Sequence, residues 1–293
     1  MQGIIIENVS NLYQVKTESG IYETTARGKL KKDEMIPVVG DNVQICITDE
    51  QNRKAVIERI QERKVYIKRP RLANITQMIL VVSSKDPKPD LLMLDKQLAF
   101  AEFIGIKPLI VLNKIDLDRA DDFQKIRQIY SNIGYIVMIT NAKKKIGIDR
   151  LKEELKHHIN AFSGNSGVGK STLINGIFDE DMTQEGEISK KNKRGKNTTT
   201  AVTLYEIDND TYIADTPGFS TFDISEIESK ALYQYFKEFE QFEENCEFIG
   251  CTHIKEENCG IKKAVKNGEI DKARYERFCK IYQELKEKEE RKW

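Results

Sequence analysis

"GNSGVGKST", residues 164–172, fits the pattern G-x-x-x-x-G-K-[ST], with the strand-like "INAF" before it and the helix-like "TLINGIF" after it. That is the context a phosphate-binding loop requires. Its glycines let the backbone N–H groups of Gly164, Asn165, Ser166, Gly167, Val168 and Gly169 turn inward on phosphate, and the following helix adds its positive N-terminal dipole. Lys170 then reaches the β- and γ-phosphates, the Ser171 hydroxyl ligates Mg²⁺, and Thr172 closes the nucleotide-binding run. A chance glycine-rich turn would not come with strand, loop and helix in register.

A second element precedes it. "NKID", Asn113-Lys114-Ile115-Asp116, follows the strand "PLIVL" and so lies at the carboxyl end of a sheet strand, where open α/β sheets bind ligands. The Asp116 carboxylate can accept two hydrogen bonds from guanine's ring N–H and exocyclic amine. Adenine offers no such donor pair and would leave the carboxylate desolvated, so GTP is preferred over ATP. Alone, this tetrapeptide also reads as a solvated turn; beside a phosphate loop it reads as the base reader. After the next strand, "YIVMI", come Thr140-Asn141-Ala142, where a GTPase brings backbone N–H groups to the guanine oxygen.

Downstream, "TYIADTPGF" ends a strand at Asp215, which would hold Mg²⁺ through water, while the Gly218 N–H would sense the γ-phosphate. The basic run "SKKNKRGKNTTTAV" lies between; one of Thr198, Thr199 and Thr200 completes the Mg²⁺ shell, with Thr199 as the candidate ligand. The residue after Gly218 is Phe219, which cannot orient a water as a glutamine would, so intrinsic hydrolysis should be slow.

The motifs thus run base reader, Thr-Asn-Ala, phosphate loop, switch threonines, Asp-Thr-Pro-Gly. A site built from loops at one sheet edge depends on strand positions and not on chain order, and closely spaced termini allow rejoining. The pattern predicts a circularly permuted GTPase domain. Its last piece, the Asp215 switch, feeds into the C-terminal region, which nucleotide state could move like a lever.

Around this core, 293 residues suggest two or three domains. Short apolar runs separated by turn residues over residues 1–70 predict an all-β barrel of OB type, although an SH3-like barrel shares the pattern. "YIKRPRLANITQ", residues 66–77, reads as a linker, and Tyr13, Tyr22 and Tyr66 could stack on RNA if they share a face with lysines. Residues 71–222 form the α/β P-loop domain, its continuous apolar strands belonging to a parallel sheet with helices on both faces. Residues 223–293 read as amphipathic α-helices, with apolar positions at Leu232, Phe236, Phe239 and at Phe278, Ile281, Leu285. Acidic and basic residues balance at 47 each, which leaves whole-chain charge uninformative about partners. Without a long apolar run or a signal-peptide pattern, a cytoplasmic protein with no membrane partner is expected.

Among five cysteines, Cys246, Cys251 and Cys259 crowd around His253 as C-x4-C-x-H-x5-C. Three thiolates and one imidazole suit a closed, tetrahedral structural Zn²⁺, on which folding of residues 240–262 should depend. Cys46 and Cys279 read as ordinary core or surface residues, and His157 and His158 as solvated.

The barrel, the order "NKID", "GNSGVGKST", "NTTT", "DTPGF" and the segment "CEFIGCTHIKEENC" together resemble the RsgA (YjeQ-type) small-ribosomal-subunit-dependent GTPases over essentially the whole chain. The resemblance implies an OB-fold that touches rRNA, slow GTP hydrolysis to GDP stimulated by the small subunit, and a late role in that subunit's maturation with release of an assembly factor. In one departure, relatives commonly carry His before the threonine run, where this chain has Asn197; a catalytic imidazole does not carry over. A GTP-gated RNA-binding module and a regulatory GTPase with a protein partner are the rival readings. Nothing in the sequence suggests more than a monomer.

Overall fold

Apolar and polar side chains alternate over residues 2–60, and the turn residues between them break the run into five strands: β1 Gln2–Val9, β2 Leu12–Thr17, β3 Gly20–Ala26, β4 Asn42–Asp49 and β5 Lys54–Ile60. Period-2 alternation gives each strand one face to bury. The inward residues Ile5, Val15, Tyr22, Val43, Ile45 and Ile57 are all at most 1% exposed. Strands pair in the order β1-β2-β3-β5-β4, β3 runs parallel to β5, and β4 returns antiparallel to β1, closing a five-stranded barrel. That closure is the OB order. Tyr13 and Tyr22 are 2% and 1% exposed, so they are core residues and not the stacking platform the sequence allowed. Tyr66 is exposed and carries the Arg63 guanidinium 4.7 Å above its ring.

The computed structural model describes residues 1–27, 36–117, 122–178, 202–208, 210–215 and 224–291. They form two compact units, one of Met1–Ile79, Ala142–Ser163 and Lys170–Phe219, the other of Leu80–Asn141, Gly164–Gly169 and Ser220–Trp293.

In the first unit the barrel is followed by a ribbon where a linker was expected: β6 Tyr66–Lys68 pairs with β7 Arg71–Ala73 in the register Ile67↔Leu72. Ile67 and Leu72 are buried, which holds the ribbon down, while Lys68, Arg69 and Arg71 face solvent. The same unit holds β11 Ile159–Ser163, β12 Thr203–Asp208 and β13 Thr211–Asp215, with α3 Ile148–Leu155 and α4 Lys170–Phe178. β11 runs parallel to β13, but β12 is antiparallel to it, so the sheet is mixed and not wholly parallel. The physical reason is the connection: two residues between β12 and β13 can only make a hairpin. β12 also meets β1 of the barrel at Glu7↔Thr203.

In the second unit, to which Leu80–Ser83 of β8 Gln77–Ser83 belong, β9 Lys107–Asn113 lies between β8 and β10 Ile136–Ile139, parallel to β10. Every residue of β8, and all of β9 after Lys107, is buried, as strands covered on both faces must be. α1 Leu91–Ile104 and α2 Asp122–Asn132 belong to this unit, as do α5 Gly260–Asn267 and α6 Lys272–Glu290. Residues Ser229–Tyr235 and Lys237–Asn245 form 3₁₀ helices in place of the amphipathic α-helix expected there. Phe236, Phe239 and Phe242 recur every third residue, the 3₁₀ period, and Phe236 and Phe239 are pinned in the core against Phe278 at 5.0 and 4.9 Å.

A buried ionic cluster fastens α6 to α1. Asp95, fully buried, accepts from Arg274, from Arg277 at 2.5 Å and from the Tyr130 hydroxyl at 2.6 Å, while Arg274 also pairs with Glu238. Among the described residues, no helix is long and apolar enough to cross a membrane.

Candidate functional site

Three of the sequence-predicted motifs meet in the second unit. Asn113, at the end of β9 and 1% exposed, is a strut: its Nδ2 donates to the Val168 carbonyl at 3.0 Å, and its Oδ1 accepts from the Thr140 hydroxyl at 3.1 Å. The "NKID" loop, the "GNSGVGKST" loop and Thr140 are thereby held together by one side chain. Backbone bonds reinforce it, Ile115 N–H donating to the Thr140 carbonyl at 3.3 Å and Thr140 N–H to that of Leu112 at 2.8 Å.

Packing there admits only glycine. At Gly169 (φ +99°) a Cβ would lie 2.4 Å from Asn113 Nδ2, and at Gly164 (φ +142°) one would lie 2.3 Å from the Val81 carbonyl. Both positions combine a left-handed backbone with a close approach. A loop after β8 supports the other side: Ser84 Oγ donates to the Lys114 carbonyl at 2.9 Å, and Lys114 Nζ donates to that of Asp86 at 2.5 Å. Asp90 caps α1 by accepting from Met93 N–H at 2.9 Å, and its second oxygen accepts from Asn165 Nδ2 at 3.3 Å. Ser84 and Asp90 escaped the sequence reading because their partners lie 30 and 75 residues away, with no local motif to mark them. Asp116 is exposed in the short 3₁₀ turn Ile115–Leu117, its carboxylate accessible to a base; Asn141 is buried beside Thr140.

The remaining described site residues belong to the first unit. Lys170 opens α4 with Ser171 and Thr172 exposed after it, Ala142 opens a 3₁₀ turn, and Asp215 ends β13. Burial pulls the Lys170 ammonium below the ordinary lysine value and raises the Asp215 carboxyl. Each shift favours the neutral form, and each would be reversed by the ligand the motif implies, a phosphate at the ammonium and a cation at the carboxylate. The donor set therefore fits a magnesium nucleotide. Asn197, Thr198, Thr199, Thr200, Gly218 and Phe219 lie outside the described residues.

The cysteine cluster is in the second unit. Ligand atoms of Cys246, Cys251, His253 and Cys259 all lie within 4.8 Å of one another. Ligand bonds of about 2.3 Å to sulfur and 2.0–2.1 Å to nitrogen make tetrahedral edges of about 3.8 Å between sulfurs and about 3.6 Å from sulfur to nitrogen. The cluster shows 4.0 Å from Cys246 Sγ to Cys259 Sγ, and 3.6 and 3.4 Å from His253 Nδ1 to those two sulfurs. A cation of zinc's size fits, held through Nδ1 of the imidazole. Gly260 N–H donates to Cys246 Sγ at 3.3 Å, and the Tyr275 hydroxyl donates to the His253 carbonyl at 2.7 Å, orienting ligands from outside. Burial pushes the Cys251 thiol up to about 12, a shift that a coordinated cation overturns by deprotonating the sulfur. Cys46 is exposed and Cys279 half-buried, and neither is among the four clustered ligands; His158 Nδ1 shares a 2.9 Å hydrogen bond with the Thr76 hydroxyl.

Residues 51–225 match the family described as RsgA GTPase, and residues 2–57 match the RsgA N-terminal domain. A small ribosomal subunit biogenesis GTPase RsgA of Clostridium perfringens (strain SM101 / Type A) is 41% identical over 285 residues, covering 97% of this chain and 98% of that protein. One of the same name from Clostridium novyi (strain NT) is 41% identical over 293 residues, covering 100% of both. Among solved structures, YjeQ from Thermotoga maritima superposes with a TM-score of 0.83 at 38% identity, over 97% of this chain and 98% of that one. YloQ, described as a circularly permuted GTPase, gives a TM-score of 0.82 at 28% identity, over 98% and 95%.

Proposed function

The chain belongs to the RsgA GTPase family, and from that membership we propose a GTP hydrolase that assists late maturation of the small (30S) ribosomal subunit. It binds the subunit and its rRNA, turns GTP over slowly by itself and faster on the subunit, and releases an assembly factor. It acts as a cytoplasmic monomer. Asn113 is the observation that carries the reading: a side chain from the "NKID" loop grips the phosphate loop 55 residues later, the arrangement a permuted GTPase site needs.

Each motif then has a role. Asp116 reads guanine, Thr140, Asn141 and Ala142 present the third loop to the base, and the amides of residues 164–169 surround the phosphates. Lys170 positions the β- and γ-phosphates and offsets charge as the bridging bond breaks; the Gly218 N–H senses the γ-phosphate. Ser171 and Thr199, with Asp215 through water, would hold Mg²⁺, which when bound polarises the phosphate oxygens. Cys246, Cys251, His253 and Cys259 would hold one structural Zn²⁺, with no position left for substrate. The functional divisions are residues 1–70 for RNA, 71–222 for GTP and 223–293 for zinc. Exposed Lys68, Arg69 and Arg71 on the β6–β7 ribbon supply cations for phosphate contact. Asp95 ties α6 to α1, so a nucleotide-driven movement of the C-terminal region would carry α1 with it.

The test is GTP turnover with and without purified small subunits. Stimulation is expected. Its absence sinks the reading, and binding in the GTP form with unchanged turnover would support a GTP-gated RNA-binding module instead.

A further inference from the structure

Residues 246–251 form a tight turn with a metal-ligating cysteine at each end. It is shaped by its own backbone: Cys251 N–H donates to the Phe248 carbonyl at 3.3 Å, Glu247 N–H donates to that of Asn258 at 3.1 Å, and Gly250 supplies φ +76°. At its tip stand Phe248 and Ile249, 56% and 107% exposed, the two most exposed large apolar side chains among the described residues. Neither contributes to a core. Exposed apolar side chains held on a rigid turn lose little further freedom on binding, which makes them effective anchors.

A cavity of about 220 Å³ opens beside them, lined by Tyr233, Glu243 and Glu244 together with metal ligands of the cluster. That is smaller than the roughly 300–1,000 Å³ of small-molecule sites and suits a single long side chain. The charge around it is acidic on balance, although Lys262 reaches the segment through its bond to the Glu256 carbonyl at 2.9 Å. Over residues 240–258 the chain carries Glu240, Glu243, Glu244, Glu247, Glu256 and Glu257 against one cation, Lys255. Such a surface repels a phosphate backbone and attracts Lys or Arg.

We propose that the 246–251 turn is a docking surface for a basic segment of a protein partner, whose Lys or Arg enters the cavity at Glu243 and Glu244 while an adjacent apolar residue covers Phe248 and Ile249. This goes beyond the ribosomal reading and does not depend on it.

The test uses the zinc-loaded full chain and a fluorescent peptide of alternating Lys and Leu, with binding of labelled single-stranded RNA measured separately because RNA would itself capture the peptide. Two double variants change exposed positions that ligate no metal: F248S/I249S and E240K/E244K. The expected result is peptide binding by the parent chain, weakened about tenfold or more in both variants at unchanged zinc content. RNA binding should not be weakened in either variant. The proposal is overturned if the parent chain does not bind the peptide, if either variant binds it as tightly as the parent, or if the variants lose RNA binding in step with peptide binding.

Discussion

Replacing Asp95 by Asn removes one buried negative charge while preserving shape. Asp95 is fully buried and serves three donors, and Arg274, 1% exposed, has Glu238 as its one other carboxylate partner among the described residues. Burial opposes charge on Arg274, yet Asp95 and Glu238 hold its pKa well above the ordinary arginine value. In the parent chain two carboxylates balance two guanidiniums. In Asp95→Asn one buried guanidinium charge is uncompensated, which costs about 3–5 kcal/mol. For a chain of this size each kcal/mol shifts Tm by about 2–4 °C, so a fall of roughly 6–20 °C is expected. Guanidinium unfolding followed by circular dichroism with zinc present measures the loss. Adding Arg277→Met restores neutrality, so the double variant should be less destabilised than the sum of its single changes. A loss under about 1 kcal/mol in Asp95→Asn, or strict additivity in the double variant, would refute the charge-balance reasoning.

Three further outcomes follow from the site. Asn113→Ala strips both strut bonds and should weaken GTP binding by about 1–3 kcal/mol, roughly fivefold to 150-fold, measured with a fluorescent GTP analogue; parental affinity would show that the strut is dispensable. Asp116→Asn should move preference away from guanine nucleotides, and unchanged discrimination between GTP and xanthosine triphosphate would count against the base-reader role. Glu256 is partly desolvated, yet its bonds from the Thr252 and Ile254 N–H groups and the Thr252 hydroxyl hold its carboxyl down to about 2, against an ordinary 4.5. A depressed carboxylate stabilises the fold above about pH 4.5 and loses that contribution as pH falls toward 2. Glu256→Gln should therefore flatten stability across that window in an acid titration, and an unaltered titration curve would exclude Glu256 as its source.

How much was legible depends on how far apart the informative residues lie. "GNSGVGKST", "NKID" and C-x4-C-x-H-x5-C carry their chemistry within a few residues, so each could be read without knowing the fold. The barrel's alternation was legible as well, because the inward face of a strand is set by its own period. The β6–β7 ribbon was not. Two three-residue strands around a proline carry no periodic signal, and what makes them strands is the burial of Ile67 and Leu72. The same limit hid the faces of Tyr13 and Tyr22, since either face of a half-buried strand can hold a tyrosine until the barrel closes.

The sequence by itself determined the motifs and their order: a phosphate-loop pattern, the "NKID" pattern we propose as guanine reader ahead of it, and a Cys3His spacing compatible with zinc. Only the tertiary structure decided what grips what. Asn113 became a strut because β9 ends beside the phosphate loop, and Arg274 became a buried cation because α6 lies on α1, 179 residues from Asp95 in sequence. Motif chemistry is a local property of residue types at fixed spacing, whereas desolvation and ion pairing arise from groups that meet only when distant segments pack.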